Sequence, residues 1–396
     1  MDEDVIFHVD RPENRIESVI SPVDGWFVLR EQPASAALLF NERPIPFWNV
    51  SRPDVERAYA GKFCQGFCCI VDLSQYVAGR RVVLDAFALN LVVDGQTVAQ
   101  TEVRVNPALK GKAELCSRAR HAKKRWLERY IFCPECRQPG TLRRKPNDLV
   151  CESCGAQYPQ SAMALNLLPP SAGTPREPSG NVSLLGYDEV ALSIISDVRQ
   201  RGGKVLDCGG GVRSEVNETV ICSAPSDFPS IDVIADDQKL PFQDAVFDAI
   251  LSLNVLEHVT DPFQSAAELI RVLKPGGKLY CCVPFLQPEH DYPHHYYNMT
   301  RSGLMRLFEG KLNIERHFVP ASGQPIFTLH WFLSWYTQKL PESARNRLLE
   351  LKVSEILQVR PETWLADPIV AELSEEGRWC LASTTAAILE KPAAGA

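Results

Sequence analysis

Four cysteines in two closely spaced pairs are the most informative chemical residues of the chain. Cys133 and Cys136 form one pair and Cys151 and Cys154 the other, with fourteen residues between the pairs. A gap of two residues lets both thiolates of a pair face one ion, and four sulfurs complete a tetrahedral zinc site. The spacing therefore predicts a structural Zn²⁺ in a small ribbon whose folding depends on the metal. Redox chemistry by either pair would instead need an exposed thiolate and no metal.

A glycine cluster after a short apolar strand is the second candidate for chemistry. The strand is predicted over 204–207 and runs through Cys208 into Gly209, Gly210 and Gly211. Glycine lets the backbone approach a ligand closely because no Cβ intervenes. Open α/β sheets bind nucleotides at this carboxyl edge of their strands. Without further context, such a cluster is equally compatible with an ordinary turn.

The elements that must position this turn are alternating strands and helices. Strands are predicted over 219–223, 231–235, 247–252 and 278–283, with helices over 187–200 and 262–273. Alternation of these lengths specifies a doubly wound α/β fold with a parallel sheet. The stretch between Gly211 and the strand that follows it is short, which leaves little room for a helix there.

This segment resembles a known family. Val205 to Gly211, Leu240-Pro-Phe, Leu256-Glu-His-Val and Arg271-Val-Leu-Lys-Pro-Gly-Gly277 have the order and spacing of class I S-adenosylmethionine-dependent methyltransferases of the type 11-like group. The resemblance covers roughly residues 185–320. It implies the mostly parallel, seven-stranded methyltransferase sheet, with S-adenosylmethionine as the cofactor.

The resemblance also implies roles for individual residues. Those matching cofactor-binding positions are Asp207, Gly209 and Gly211 for the amino-acid end, Asp236 for the adenine amino group, and Asn254, which begins the loop to His258. One position departs from the family, which usually ends its second strand with an acidic residue for the ribose hydroxyls. That position falls near Ala224, and Asp227 is the closest carboxylate. A lost charge-assisted hydrogen bond is worth about 1.5–3 kcal/mol, so weak cofactor binding, or none, is an open alternative.

A histidine-rich segment lies where this fold presents its acceptor. His290, Asp291, His294 and His295 follow the predicted strand 278–283. Methyl transfer to a hydroxyl needs aligned partners and removal of a proton, for which histidine titrates in a suitable range. We therefore expect catalytic roles for His258, His290 and His295. A structural role for His258, and a second metal site or simple packing of the 284–298 loop, are the alternatives.

Residues 325–375 are expected to form a helical insertion before a last strand near 379–390. The insertion begins with an aromatic, largely apolar stretch between Phe327 and Tyr336. This stretch could form a lid over the acceptor, a dimer face or an interfacial anchor for a lipid-linked substrate. Packing against the sheet is the simplest interpretation.

The first quarter of the chain has a different sequence pattern. Residues 1–108 alternate short apolar runs with turn residues, including the hairpin signal Asp94-Gly95, and predict a β-sandwich-like accessory domain. Its Gly25-Trp26 and Arg52-Pro53-Asp54-Val55 elements resemble accessory β-domains of bacterial polysaccharide enzymes. Cys64, Cys68 and Cys69 are interpreted as buried strand cysteines rather than metal ligands. Residues 109–168 hold a basic helix and the ribbon, 169–180 a linker, and 181–396 the methyltransferase domain.

Composition limits the partners and the compartment. The chain has 396 residues, a net charge of -7 and 45% hydrophobic residues, as expected for a globular protein of several domains. An acidic start, thirteen cysteines and no apolar run long enough to span a membrane predict a cytoplasmic protein.

These observations predict a methyltransferase whose partner is a small-molecule or glycan acceptor, such as a sugar hydroxyl in bacterial surface-polysaccharide synthesis. Two alternatives stay open. One is an RNA methyltransferase that binds RNA through the ribbon and basic helix, although the acidic net charge disfavours nucleic acid. The other is a non-catalytic binding protein on a methyltransferase scaffold, suggested by Ala224.

Overall fold

The computed structural model describes residues 5–77, 85–160, 164–176, 184, 186–290 and 294–382. The chain divides into two compact units, Met1–Cys282 and Val283–Ala396. No helix within the described ranges has both the length and the apolar character needed to cross a membrane.

The first unit begins with antiparallel strands. They are β1 (Ile6–Arg11), β2 (Ile20–Leu29), β3 (Ala36–Phe40), β4 (Arg43–Ile45), β5 (Phe47–Val50), β6 (Phe63–Asp72), β7 (Ala86–Val93) and β8 (Gln96–Arg104), with helix α1 (Pro53–Ala58) before β6. They form two four-stranded sheets, β1-β2-β6-β5 and β4-β3-β7-β8. Asp94 and Gly95 both have positive φ, which confirms the predicted hairpin between β7 and β8. Cys68 and Cys69 are buried on β6, as expected for strand cysteines, whereas Cys64 on the same strand is only half-buried.

Helix α2 (Leu109–Tyr130) connects these sheets to the rest of the unit. Arg120 donates hydrogen bonds to Asp72 of β6 and to the carbonyl of Pro229. Lys123 is buried and forms an ion pair of 2.7 Å with Asp232, which also lies outside the N-terminal sheets. Arg120 and Lys123, two of the basic residues of α2, therefore make contacts within the protein.

Three short antiparallel strands follow α2 and form the ribbon. They are β9 (Leu142–Arg144), β10 (Asp148–Cys151) and β11 (Gln157–Pro159), in the order β11-β10-β9. The segment between α2 and the first cysteine pair is joined to residues 241–243 of the first unit by backbone hydrogen bonds. Phe132 N–H donates to the carbonyl of Pro241 at 3.0 Å, and Gln243 N–H donates to that of Tyr130 at 2.9 Å.

A parallel sheet of six strands completes the first unit. The strands are β12 (Leu165–Asn166), β13 (Val205–Cys208), β14 (Val220–Ala224), β15 (Val233–Ile234), β16 (Phe247–Leu253) and β17 (Leu273–Cys282), in the order β12-β15-β14-β13-β16-β17. Helices α3 (Glu189–Gln200) and α4 (Pro262–Val272) have Asp188 and Asp261 as N-caps. Residues 209–219 contain no helix, as the short spacing predicted.

The predicted seven-stranded sheet is not confirmed, and two details differ from the prediction. Edge strand β12 precedes the predicted linker, and Arg176 inside that linker bridges Ser226. The strand expected near 379–390 is helical at its start, because Ser374 caps helix α10 (Glu375–Cys380) with a hydrogen bond from Gly377 N–H. Residues 383–390 lie outside the described residues.

The second unit is built of helices. Besides α10, they are α5 (Arg301–Phe308), α6 (Pro325–Gln338), α7 (Glu342–Glu350), α8 (Val353–Gln358) and α9 (Pro368–Ala371). A small core packs Leu340, Ala344 and Leu373 against the half-buried Tyr336 and Leu348. The segment expected to be a helical insertion thus contains α6 to α9.

Candidate functional site

The four predicted metal ligands come together in the ribbon. Their sulfur atoms all lie within 4.8 Å of one another, and the Cys133–Cys154 and Cys136–Cys151 sulfur pairs are each 3.6 Å apart. Zinc–sulfur bonds of about 2.3 Å place tetrahedral sulfurs roughly 3.8 Å apart, so the cluster matches the size of a zinc site. The donor set and geometry therefore fit Zn²⁺.

Each cysteine pair has the same backbone turn. Arg137 and Gly155 directly follow the second cysteine of their pairs, and both have positive φ, 56° and 77°. Their N–H groups donate to the carbonyls of Cys133 and Cys151, at 2.7 and 2.9 Å. Two equivalent turns therefore present two sulfurs each to the same point.

Polar groups contact the sulfurs, whose ionisation differs from one cysteine to the next: burial raises the pKa of Cys133. Tyr158 is fully buried, and its hydroxyl lies 3.0 Å from Cys133 Sγ. For Cys151, burial opposes ionisation, but Thr141 and the N–H groups of Cys154 and Ser153 lower its pKa to about 6. These contacts also orient the ligands, as outer-shell groups do in metal sites.

The predicted cofactor turn lies at the carboxyl end of β13. Gly209 has φ of 74°, and a Cβ there would come within 2.4 Å of Val255. A Cβ at Gly210 would come within 2.8 Å of the Asp207 carboxylate. Both positions thus require glycine, and the reason in each case is packing within the chain. Gly211 continues the loop, and its carbonyl accepts a hydrogen bond from Ser230.

Asp207 is held by two partners that the sequence did not reveal. One oxygen, Oδ2, accepts hydrogen bonds from Tyr187 Oη at 2.7 Å and Arg213 Nε at 2.9 Å. The guanidinium of Arg213 also lies over the Tyr187 ring, 4.5 Å from its centroid. The other oxygen, Oδ1, is buried without a hydrogen-bond partner in the described part of the chain. This orphaned acceptor fits a cationic donor such as the α-ammonium group of S-adenosylmethionine.

Two adjacent carboxylates after β15 have different environments. Asp236 is partly exposed and accepts a hydrogen bond from Gln238 N–H at 2.9 Å, which fixes the turn. Asp237 is buried, and burial raises its pKa to about 7. The Cys208 thiol at the end of β13 donates to Asp237 at 3.2 Å, so this contact joins the glycine turn to the carboxylates. The two predicted regions are therefore neighbours.

The ribose position lacks an acidic residue, as the sequence indicated. Ala224 ends β14 and is buried. Asp227 is half-buried three residues further on. The described residues thus fit the amino-acid end of the cofactor better than its ribose.

The loop after β16 holds Asn254 and His258. Asn254 is exposed with φ of 56°, and its N–H donates to the carbonyl of Cys282. Glu257 is fully buried, both of its carboxylate oxygens lack hydrogen-bond partners among the described residues, and burial raises its pKa to about 8. His258 Nε2 lies 3.8 Å from Glu257 Oε1. The sequence did not distinguish Glu257 as a candidate site residue, because it lies inside the Leu256-Glu-His-Val motif and its burial is visible only in the structure.

The predicted catalytic histidines fall in different units. His258 belongs to the first, whereas His290 and His295 belong to the second. Within the second unit, the His290 and His295 rings have centroids 4.4 Å apart, and the His290 ring also contacts Trp331. Asp291 lies outside the described residues.

Comparison with known proteins gives one family match. The family model described as "Methyltransferase domain" matches residues 213–281. A ubiquinone/menaquinone biosynthesis C-methyltransferase of Shewanella halifaxensis is 42% identical over 67 residues, which are 17% of this chain and 26% of that protein. A ubiquinone biosynthesis O-methyltransferase of Maricaulis maris is 31% identical over 101 residues, 20% of this chain and 40% of that protein.

A solved structure, a putative methyltransferase of Bacillus halodurans, is 18% identical. The alignment covers 46% of this chain and 87% of that one, with a TM-score of 0.27. The chain spans about a quarter of the length of the Shewanella relative. The family model matches less than a fifth of the chain, and the alignments cover less than half of either named relative.

Proposed function

We propose that the chain is an S-adenosylmethionine-dependent methyltransferase that binds its cofactor at the carboxyl edge of β13 and β15. The observation that carries this proposal is the buried, unsatisfied Oδ1 of Asp207 beside the glycine turn. A buried acceptor without a partner is costly, and a ligand that donates to it removes that cost. The family match over 213–281 supports the same assignment.

In this proposal Asp207 holds the amino-acid end of the cofactor, and Arg213 and Tyr187 fix the carboxylate in place. Asp236 receives the adenine amino group. When bound, S-adenosylmethionine supplies an electrophilic methyl group on a sulfonium sulfur. The cysteine cluster would hold Zn²⁺ in a structural role, because four sulfurs leave no open position for substrate.

For the acceptor, we propose a sugar hydroxyl or a related small molecule. His258 would remove the proton of the hydroxyl, since it lies in the loop after β16, next to the cofactor edge. Because Glu257 is a buried acid with a raised pKa, it is neutral at pH 7 and does not compete for that proton. His290 and His295 stay predicted contributors from the second unit, and a cytoplasmic location stays part of the proposal.

Isothermal titration with S-adenosylmethionine tests the proposal. We expect saturable binding that Asp207→Asn weakens at least tenfold, because the amide cannot serve as an anionic acceptor. Asp236→Asn should weaken it several-fold, and Asp197→Asn, on the exposed side of α3, should leave it unchanged. No heat at millimolar ligand from folded wild-type protein would instead favour a non-catalytic binding protein.

An RNA acceptor is the second candidate function. It rests on the exposed basic residues of α2 and of the ribbon hairpin, namely Lys110, Arg118, Lys124, Arg125, Arg129, Arg143, Arg144 and Lys145. Binding of a single-stranded RNA should then weaken steeply with salt and drop on Lys124→Ala. Affinity that stays flat from low to high salt removes this candidate.

A further inference from the structure

The loop that follows the glycine turn carries Arg213, a partner of Asp207. Residues 209–219 contain neither helix nor strand, so no regular backbone of their own places Arg213. Arg213 is nevertheless buried and donates to Asp207 at 2.9 Å. The backbone groups of a buried loop need hydrogen-bond partners from other segments. The contacts of this loop with those segments therefore set the position of Arg213.

Ser230 contacts the loop directly. Its side chain is buried, and its hydroxyl donates to the carbonyl of Gly211 and accepts from the N–H of Arg213, both at 3.2 Å. A hydroxyl can donate and accept at the same time, so one side chain satisfies the backbone on both sides of Val212. The position of Ser230 thus fixes the backbone from which the Arg213 side chain extends.

Helix α2 holds the residue before Ser230. Arg120 Nη2 donates to the carbonyl of Pro229 at 2.5 Å and to Asp72 Oδ2 at 2.8 Å. Asp72 ends β6 and is buried. Hydrogen bonds from a guanidinium are stronger than those between neutral groups. Arg120 therefore ties the segment of Ser230 to the N-terminal sheet as well as to α2.

The same helix holds the residue two positions after Ser230. Lys123 pairs with Asp232 at 2.7 Å, and Asp232 Oδ2 also accepts from Cys222 N–H on β14 at 2.8 Å. Both charged side chains are buried, so loss of either partner leaves an uncompensated charge. Residues 229–232 are thus fixed by α2 on both sides of Ser230.

Two further hydrogen bonds join the N-terminal part of the chain to the loop itself. Ile20 N–H, at the start of β2, donates to the carbonyl of Ser214 at 2.8 Å. Val216 N–H donates to Cys116 Sγ of α2 at 3.4 Å. Strand β2 and helix α2 therefore hold the part of the loop that follows Arg213.

We propose that the N-terminal sheets and α2 are a positioning element of the cofactor site, with Arg120 and Ser230 as positioning residues. They hold residues 211–216 so that Arg213 reaches Asp207. The N-terminal part of the chain is then a support of the site rather than a separate binding module. Its effect on cofactor affinity rests on the proposed function, whereas its hold on the loop does not.

Amide hydrogen exchange without cofactor, read by mass spectrometry, tests the hold on the loop. Arg120→Met and Ser230→Ala should each speed exchange in peptides covering 209–219 by about tenfold, because the loop loses a support. Peptides of β7 should keep their rates, which separates this effect from a general loss of stability. Arg118→Met is the matched control, since Arg118 is an exposed arginine of the same helix, and it should leave exchange unchanged. Unchanged exchange at 209–219 in both test variants would overturn the proposal.

Isothermal titration with S-adenosylmethionine tests the effect on the site. Arg120→Met should weaken binding by about fivefold in wild-type protein, but by less than about twofold when Arg213→Met is already present, because both act through one contact. A purely structural loss would lower affinity equally in the two backgrounds, and that result would also overturn the proposal. If folded wild-type protein gives no binding heat, the proposed function fails, and the exchange rates still decide whether the N-terminal part holds the loop.

Discussion

Short motifs predicted both the cysteine cluster and the proposed cofactor edge, which is the carboxyl end of β13 and β15. The two are nevertheless built differently. All four sulfurs come from 133–154, and two equivalent local turns aim them at one point. At the proposed cofactor edge, Asp207 is positioned by Tyr187, which precedes α3, and by Arg213, while Val255 packs on the glycine turn. A cysteine cluster made of local turns can be recognised from spacing alone, whereas the hydrogen-bond partners of Asp207 cannot, because they come from other segments.

Removal of a metal ligand should give the largest effect. Cys151→Ser should abolish binding of one zinc per chain and unfold the ribbon, because metal binding supplies roughly 10 kcal/mol or more in such modules. Zinc content by mass spectrometry and thermal unfolding measure this. Cys64→Ser on β6 is the control and should retain the metal. If the cysteine pairs instead act as redox groups, purified wild-type protein will contain no zinc.

Disruption of the buried ion pair at the cofactor edge should have the next largest effect. Asp207→Ala leaves Arg213 without its carboxylate, which should destabilise the protein by about 3–5 kcal/mol in urea unfolding.

The double variant Asp207→Ala/Arg213→Met removes both charges and should regain a substantial part of that loss. If the two substitutions lower the free energy of unfolding additively, Asp207 and Arg213 are not coupled. The carboxyl end of β13 then does not depend on this contact.

The pH dependence of the free energy of unfolding should show an effect of intermediate size, which comes from Asp237. Asp237 has a folded pKa of about 7, above its unfolded value near 4, so the folded state retains a proton that the unfolded state loses. Its contribution is therefore complete below about pH 4 and decreases as pH rises to about 7, by up to about 4 kcal/mol.

Asp237→Asn should flatten this part of the curve of unfolding free energy against pH. Glu257, shifted in the same direction, should leave a residual slope that Glu257→Gln removes. Equal slopes in wild-type and Asp237→Asn protein would show that Asp237 ionises normally.

The smallest effect on stability is expected at the backbone turns that follow the two cysteine pairs. Gly155→Ala should cost about 1 kcal/mol, since its φ of 77° is strained for any residue with a Cβ. Gly111→Ala on α2 has open space around it and should instead stabilise the helix by about 0.5–1 kcal/mol. Thermal unfolding of the two variants measures this opposite sign. A loss at Gly111 as large as that at Gly155 would remove the special role of the turn.

Apolar periodicity, capping residues and turn residues such as glycine and proline were enough to predict most strands of the six-stranded parallel sheet. Most strands and helices between 187 and 283 lie within two residues of the predicted ranges, because each has its own apolar pattern. Strand β17 instead begins at Leu273, five residues before the predicted strand, and runs through Gly276 and Gly277. Strand β12 was missed because two residues carry no pattern, and it pairs only through the backbone of β15. Sequence does not show which lysines of the basic helix find buried carboxylates; Lys123 does, with Asp232.

The amino-acid sequence by itself determined the clustering of the four cysteines, the glycine turn and the absence of an acid at Ala224, since each depends on residues close together in the chain. Only the tertiary structure decided that Arg213 and Tyr187 hold Asp207, that one oxygen of Asp207 stays unsatisfied, and that Lys123 pairs with Asp232. Burial and hydrogen-bond pairing depend on contacts between residues far apart in sequence, and no local pattern encodes them.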